Sequence, residues 1–287
     1  MVAIQRFRST WGVPPGDNYK AWEEWFPRLK AQGYAGVEID IGCLSDLHLV
    51  RQLCERTGLQ IIPLIQSEWV GYAGPKPATL GPVDHLRQYR RQLERAKTLN
   101  PVKINVHSGF DSWSLDDSVE FFAGSLTVDA ELGLEGKVCH ETHRVRALYN
   151  PFVTAEVVRR VPGLRINADF SHFVVVCESL FAAEEDYNYL RTIIPHVHHI
   201  HCRVGTTESS QCPDPTNPFF ANERRFLEEV WKEIIEARSG SGSITFVPEY
   251  GPYPYHPFGS SRDFSEVADF EGTRLQSLFE EFAGRRS

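Results

Sequence analysis

The feature that most constrains this chain is a change of hydrophobic period that recurs eight times. Short runs rich in β-branched residues alternate with longer segments whose apolar residues fall at helical spacing. The short runs are IQRFRSTW (4–11), YAGVEID (34–40), LQIIPLIQ (59–66), VKINVHS (102–108), GKVCHET (136–142), LRINADFS (164–171), HVHHIHC (196–202) and SITFVPEY (243–250). Between them lie predicted helices. Residues 44–58 carry Leu44, Leu47, Leu49, Val50 and Leu53 on one side, Pro82 sits in the first turn of 82–99, and Asn150 precedes Pro151 as an N-cap. Eight strand–helix units in roughly 250 working residues is the arithmetic of an α/β fold closed as a (β/α)8 TIM barrel. A doubly wound open sheet is the competitor, but STWGVPPGDN (9–18) lacks the GxGxxG turn such sheets place after their first strand. The expectation is one barrel domain over residues 1–287.

In such a barrel, catalytic side chains gather at the C-terminal strand ends. Glu38 and Asp40, Gln66 and Glu68, His107, His140 and Glu141, Asp169, His199 and His201, and Glu249 all fall there, with His172 just beyond Asp169. The segment VCHETHRVR (138–146) nearly spells a zinc-protease motif, but HExxH needs histidines four apart on a helix. Here His140 and His143 are three apart, in a β-like run. On a strand, side chains alternate, so Glu141 faces opposite to His140, and Glu141 is the one expected at the barrel mouth. The bland alternative for Glu141 is an ion pair with Arg144 or Arg146.

Asp169, His201 and Glu249 occupy the equivalent ends of the next three strands. Three carboxylates around one imidazole repel one another and are costly to desolvate without a cation. An oxygen-rich set of this kind suits one divalent ion, Mn²⁺ foremost, with Mg²⁺, Co²⁺ or Zn²⁺ as alternatives. Four protein ligands leave positions open for two adjacent substrate oxygens. His172 and His107 are candidates for substrate contact, and His199, one pleat below His201, for support.

The net charge of −8 and pI near 5.8 argue against general affinity for nucleic acid or anionic membranes. No run approaches the roughly 18 apolar residues of a membrane span. The N-terminal stretch lacks a signal-peptide core, and Cys43, Cys54, Cys139, Cys177, Cys202 and Cys212 form no CxxC pair. They read as reduced, mostly buried thiols in a soluble cytoplasmic protein with a small-molecule substrate, alone or as a homo-oligomer.

HSG (107–109), HETHR (140–144), ADFSHF (168–173), HIHCRVG (199–205) and PEYG (248–251) resemble, in order, the motifs of the xylose-isomerase-like TIM barrels, the sugar phosphate isomerase/epimerase superfamily. The resemblance implies a divalent-metal site at Glu141, Asp169, His201 and Glu249. It also implies that Glu141 and Glu249 exchange the substrate proton, as in ketose epimerases. Those epimerases carry an arginine six residues after the metal histidine, whereas this chain has Thr207 there and Arg203 two residues on. Arg144, Arg146 and Arg203 are therefore expected to clamp a carboxylate or phosphate. The nuclease branch of the superfamily is disfavoured by the negative charge.

The reading that follows is an isomerase or epimerase of a sugar, polyol or related hydroxy-ketone, working through a metal-stabilised enediolate. A dehydratase sharing the first step, with His172 or His107 as acid, is second, and a metal-dependent hydrolase third. The long segment 206–220 is expected to cap the site.

Overall fold

The computed structural model describes residues 2–12, 19–42 and 44–285. Eight parallel strands, β1 (Ala3–Ser9), β2 (Gly36–Asp40), β3 (Gln60–Gln66), β4 (Ile104–His107), β5 (Val138–Glu141), β6 (Ile166–Ala168), β7 (Val197–His201) and β8 (Ser243–Val247), pair in sequence order. β1 closes on β8 with Ala3 opposite Ser243 and Arg6 opposite Phe246. The ring is covered by α1 (Tyr19–Ala31), α2 (Leu47–Thr57), α3 (Pro82–Lys97), α4 (Leu115–Leu132), α5 (Pro151–Arg160), α6 (Ser171–Cys177), α7 (Glu184–Ile193), α8 (Ala221–Ala237) and α9 (Phe264–Arg285). This is the (β/α)8 barrel that the eightfold alternation predicts. None of the described helices is long and apolar enough to cross a membrane.

Local chemistry sets the helix ends. Ser114 and Asp117 form a reciprocal capping box at the start of α4, and the Asn150 side chain accepts from the Val153 N–H in α5. The strands are shorter than their apolar runs. β8 stops at Val247 because Pro248 has no N–H to continue the ladder, which leaves Glu249 on irregular chain above the barrel. β6 stops at Ala168 because Asp169 turns the chain: its Oδ1 accepts from the Ser171 N–H at 3.1 Å and from the Ser171 hydroxyl. The residues SHFVVVC then form α6, which their β-branched content hides from a sequence reading. His172 therefore sits in the first turn of this helix.

Alternation divides the strand residues cleanly. Outward-facing Val37, Ile39, Ile65, Ile104, Val106, Val138, Ile166, Ile200 and Phe246 join the helices in one continuous core. His140 faces outward too, packed edge-on to Phe122 and bonded to Ser108 Oγ at 2.6 Å. Phe7, Ile62 and Val247 form a separate apolar plug. Gly36 makes room for it, since a Cβ there would lie 2.4 Å from the Phe7 ring. Cys54, Cys139, Cys202 and Cys212 are buried free thiols and Cys177 is an exposed one; Cys43 lies outside the described residues.

Residues 206–220 are tied to the rim. Gln211, buried, donates from Nε2 to the Gly251 carbonyl at 3.1 Å and accepts the Gly251 N–H at 2.9 Å. Arg262 reaches Asp214 at 3.3 Å. The loop after β7 is thus bolted to the loop after β8. Replacing Gln211 with Ala strands a buried N–H and carbonyl, so urea unfolding should show a loss of about 1–3 kcal/mol. An unchanged midpoint would mean the two loops stand independently.

Candidate active site

The C-terminal mouth opens into a cavity of about 730 Å³, with Glu38, His107, Glu141, His143, Arg203 and Glu249 among its walls. Just beneath, ligand atoms of Glu141, Asp169, His201 and Glu249 lie within 4.8 Å of one another, all four residues buried. Two strand ends and the segments just after β6 and β8 supply them, so their meeting is a property of barrel closure. His201 Nδ1 is 3.2 Å from Glu249 Oε2 and 3.6 Å from Glu141 Oε2. It has no hydrogen-bond partner.

The other nitrogen of His201, Nε2, faces Glu38 Oε1 at 2.9 Å across the barrel from β2. That contact is an ion pair and not a hydrogen bond, since Glu38 Oε1 has no hydrogen-bond partner, and Asn105 Nδ2 lies 3.5 Å from the same Nε2. Glu38 Oε2 accepts in turn from His199 Nε2 at 3.0 Å, and His199 Nδ1 meets the Thr245 hydroxyl at 2.7 Å. Thr245, His199, Glu38 and His201 thus link β8 through β7 to β2, and His201 turns its Nδ1 toward the quartet.

Glu141 is held from three sides. Asn105 Nδ2 donates to its Oε2 at 2.6 Å, Asn167 Nδ2 at 3.3 Å, and His107 Nε2 lies 3.0 Å away. His107 Nδ1 meets the Tyr72 hydroxyl at 2.7 Å, and that hydroxyl also receives Arg146 Nε at 3.3 Å. The ion pair weighed for Glu141 with Arg144 or Arg146 does not form; histidine takes that place.

Arg144 and Arg203 share the Tyr255 ring, at 4.8 and 5.0 Å, but Arg146 stands apart and no three-arginine clamp forms. Arg203 reaches down: Nη2 pairs with Asp169 Oδ2 and lies 3.0 Å from His172 Nε2, Nε donates to Ser171 Oγ at 3.2 Å, and Nη1 is 3.2 Å from Glu249 Oε2. Arg146 turns away to the Glu68 carbonyl at 3.1 Å and lies over the Tyr72 ring. Arg144 lies 4.8 Å over Tyr255. The shared anion clamp is therefore corrected to a cation inside the carboxylate cluster and two arginines packed on aromatic rings. His172 is fully buried and accepts from Arg203, and it is not among the residues lining the cavity.

The charges follow from this packing. Burial alone would raise Glu249, but His201 and Arg203 hold it down to about 2. Glu141 is likewise held well below the usual carboxylate range, against its burial, by His107 and His201. Burial lifts Asp169 to about 6 even with Arg203 beside it. Burial works against a charged His201, yet Glu249, Glu38 and Glu141 together raise it well above the ordinary imidazole value. His143 and His172 are pushed well below it, chiefly by burial.

Several of these residues escape a reading of motifs. Asn105 and Asn167 lie two positions before His107 and Asp169 on the same strand faces, as His199, expected as support, lies two before His201. The period-two rule that found the quartet also reaches them. The task of Glu38 depends on a partner on the opposite side of the barrel, which no local pattern shows.

Solved structures place this architecture. No family model and no curated protein matches the chain. D-allulose 3-epimerase from Methylomonas sp., in complex with D-allulose, aligns at TM-score 0.62 and 11% identity over 96% of this chain and 98% of that one. The IolI protein with a binding zinc atom aligns at 0.62 and 10% identity over 98% of both chains. A family 2 AP endonuclease from Brucella melitensis aligns at 0.58 and 16% identity over 94% and 98%. The chain has the xylose-isomerase-like TIM-barrel fold. At these identities, and with printed activities this different, the likeness carries the fold and not the reaction.

Arg203 offers a direct test of the cluster. Removing one partner of a buried ion pair leaves an uncompensated charge, at a cost of about 3–5 kcal/mol. Arg203→Met should lose about that much in denaturant unfolding of the metal-free protein near pH 7. Without the guanidinium Asp169 takes up a proton more readily, so the loss should shrink as the pH falls toward 6 and below. Adding Asp169→Asn should recover part of it. A loss under about 1 kcal/mol would place Arg203 outside the cluster's charge balance.

Proposed function

We propose that this protein is a divalent-metal-dependent isomerase or epimerase acting on a sugar, polyol or related hydroxy-ketone. One observation carries the reading: a buried, partnerless His201 Nδ1 aimed between carboxylates, with its other nitrogen anchored on Glu38. A metal-binding histidine characteristically gives its second N–H to a carboxylate or carbonyl, which fixes the ring and makes the ligating nitrogen more basic. The donor set of Glu141, Asp169, His201 and Glu249 fits an ion such as Mn²⁺, Mg²⁺, Co²⁺ or Zn²⁺.

Such an ion would polarise a substrate carbonyl and acidify the neighbouring C–H. The protein supplies the proton path. Glu141 and Glu249 both line the cavity, one on β5 and one after β8. One removes the proton and the other returns it to the opposite face or to the next carbon. His107 beside Glu141 steadies that carboxylate as its charge changes. Arg203 holds Asp169 and Glu249 in place, with His172 fixing the guanidinium from behind. The substrate contact first expected of Arg203, and the acid role of His172, become positioning roles.

Two measurements test this. The purified protein should carry close to one divalent ion per chain, and Glu38→Gln should weaken its binding about 10- to 100-fold while the metal-free fold is retained. Elemental analysis without metal, together with a melt insensitive to chelator, would contradict the reading. In D₂O with a panel of ketoses and cyclic keto-polyols, deuterium should enter the carbon beside the carbonyl, and Glu249→Gln should abolish the exchange. Elimination would instead give an unsaturated product, and hydrolysis would give neither.

A further inference from the structure

We propose that the cavity selects an uncharged, ring-form polyhydroxylated substrate and rejects its phosphorylated and carboxylated counterparts. This rests on the reading of the site as a metal-dependent sugar or polyol enzyme, and it concerns which members of that class enter.

The first support is charge. Glu38, Asp40, Glu141 and Glu249 line the cavity against a single guanidinium, Arg203, and no other Lys or Arg lines it among the described residues. Adding a divalent ion leaves that wall negative. Four of the five N–H groups of Arg203 are turned to Ser171, Asp169, His172 and Glu249, which leaves a single one, on Nη1, and no free two-donor fork for an anion. Arg146 is turned to Glu68 and Tyr72. A phosphate or carboxylate needs free N–H donors, usually a bidentate arginine or a helix N-terminus.

The second support is the kind of hydrogen bond offered. His143 Nδ1 meets the Arg144 carbonyl oxygen, which only accepts, so the proton sits on Nδ1 and Nε2 is left as an acceptor. Together with the carboxylates, this makes a wall rich in acceptors. Hydroxyl groups donate to such a wall. Ionised phosphates and carboxylates cannot, and they are repelled by it.

The third support is an aromatic ledge on the rim. Trp11 and Tyr255 line the cavity and meet edge to face, centroids 4.9 Å apart at 86°. Trp11 lies against the backbone of Gly251, where any Cβ would come within 2.1 Å of the indole. Tyr255 is fixed by two guanidinium contacts, Arg144 at 4.8 Å and Arg203 at 5.0 Å. A rigid corner of two perpendicular rings above an acceptor-rich floor matches a closed sugar or cyclitol ring, which has a C–H face and a rim of hydroxyls. An open chain has no such face.

The test uses the full-length, metal-loaded protein, with binding read by tryptophan fluorescence and by thermal shift. The probes are free ketohexoses, inositols and methyl glycosides, set against hexose phosphates and hexuronic acids. At low ionic strength the tightest uncharged probe should bind at least about tenfold better than any charged one, and the gap should narrow with salt. Trp11→Ala should weaken uncharged binding about tenfold. So should Gly251→Ala, which displaces the indole without removing it; both should keep metal affinity unchanged. A hexose phosphate or hexuronate binding more tightly overturns the proposal, as does undiminished binding in both variants. Metal-loaded protein that binds neither set overturns it as well. A chain that takes up no metal instead refutes the functional reading beneath it.

Discussion

Everything at the mouth of this barrel answers to one constraint: carboxylates brought out of water within a few ångströms of one another. Glu38, Glu141, Asp169 and Glu249 are all buried and all belong to the same connected cluster of side chains. Ionised together they would destabilise the fold severely unless each found a cation or several hydrogen-bond donors. The structure supplies both. His201 stands between Glu38 and Glu249, Arg203 spans Asp169 and Glu249, and Asn105, Asn167 and His107 converge on Glu141. The shape of the site follows from that balance. His201 can turn only one nitrogen to the quartet because Glu38 holds the other.

On the proposed reading, the constraint also separates recognition from chemistry by depth. The floor is charged, buried and cross-braced through the barrel from β8 to β2. The rim is aromatic and built from irregular chain: Trp11 after β1, Tyr72 after β3, Tyr255 after β8. Gln211 and Gly251 pair the last two loops of the barrel, so the ledge that carries Tyr255 is fixed to the loop that follows Arg203. A floor set by strand register and a rim set by loops is how one barrel can keep a reaction centre while its choice of ligand changes.

Much of the floor was legible before any coordinates. Strand ends in a closed parallel barrel face one mouth, and alternation decides which residue of a pair faces inward. Glu141 could therefore be separated from His140, and His201 from its neighbours, by counting alone. The arginines were not legible in this way. Arg144, Arg146 and Arg203 are close in motif space, yet their long side chains reach different targets, and torsions several bonds from the backbone decide which. α6 was hidden for another reason. The run FVVV favours a strand, but Asp169 caps a turn through Ser171, and burial against the barrel overrides the local preference. The Trp11 ledge depends on the missing side chain of a residue 240 positions away, Gly251, and no local pattern reports that.

The central claim is that His201 presents Nδ1, and not Nε2, to a single cation shared with Glu141, Asp169 and Glu249. Crystals grown with Mn²⁺ and measured at the manganese absorption edge test it most directly. The account predicts one strong anomalous peak at bonding distance from His201 Nδ1 and from oxygens of all three carboxylates, with Glu38 still on Nε2. A peak among His107, Glu141 and His143 alone, or a crystal soaked to saturation with no peak in the quartet, would contradict it.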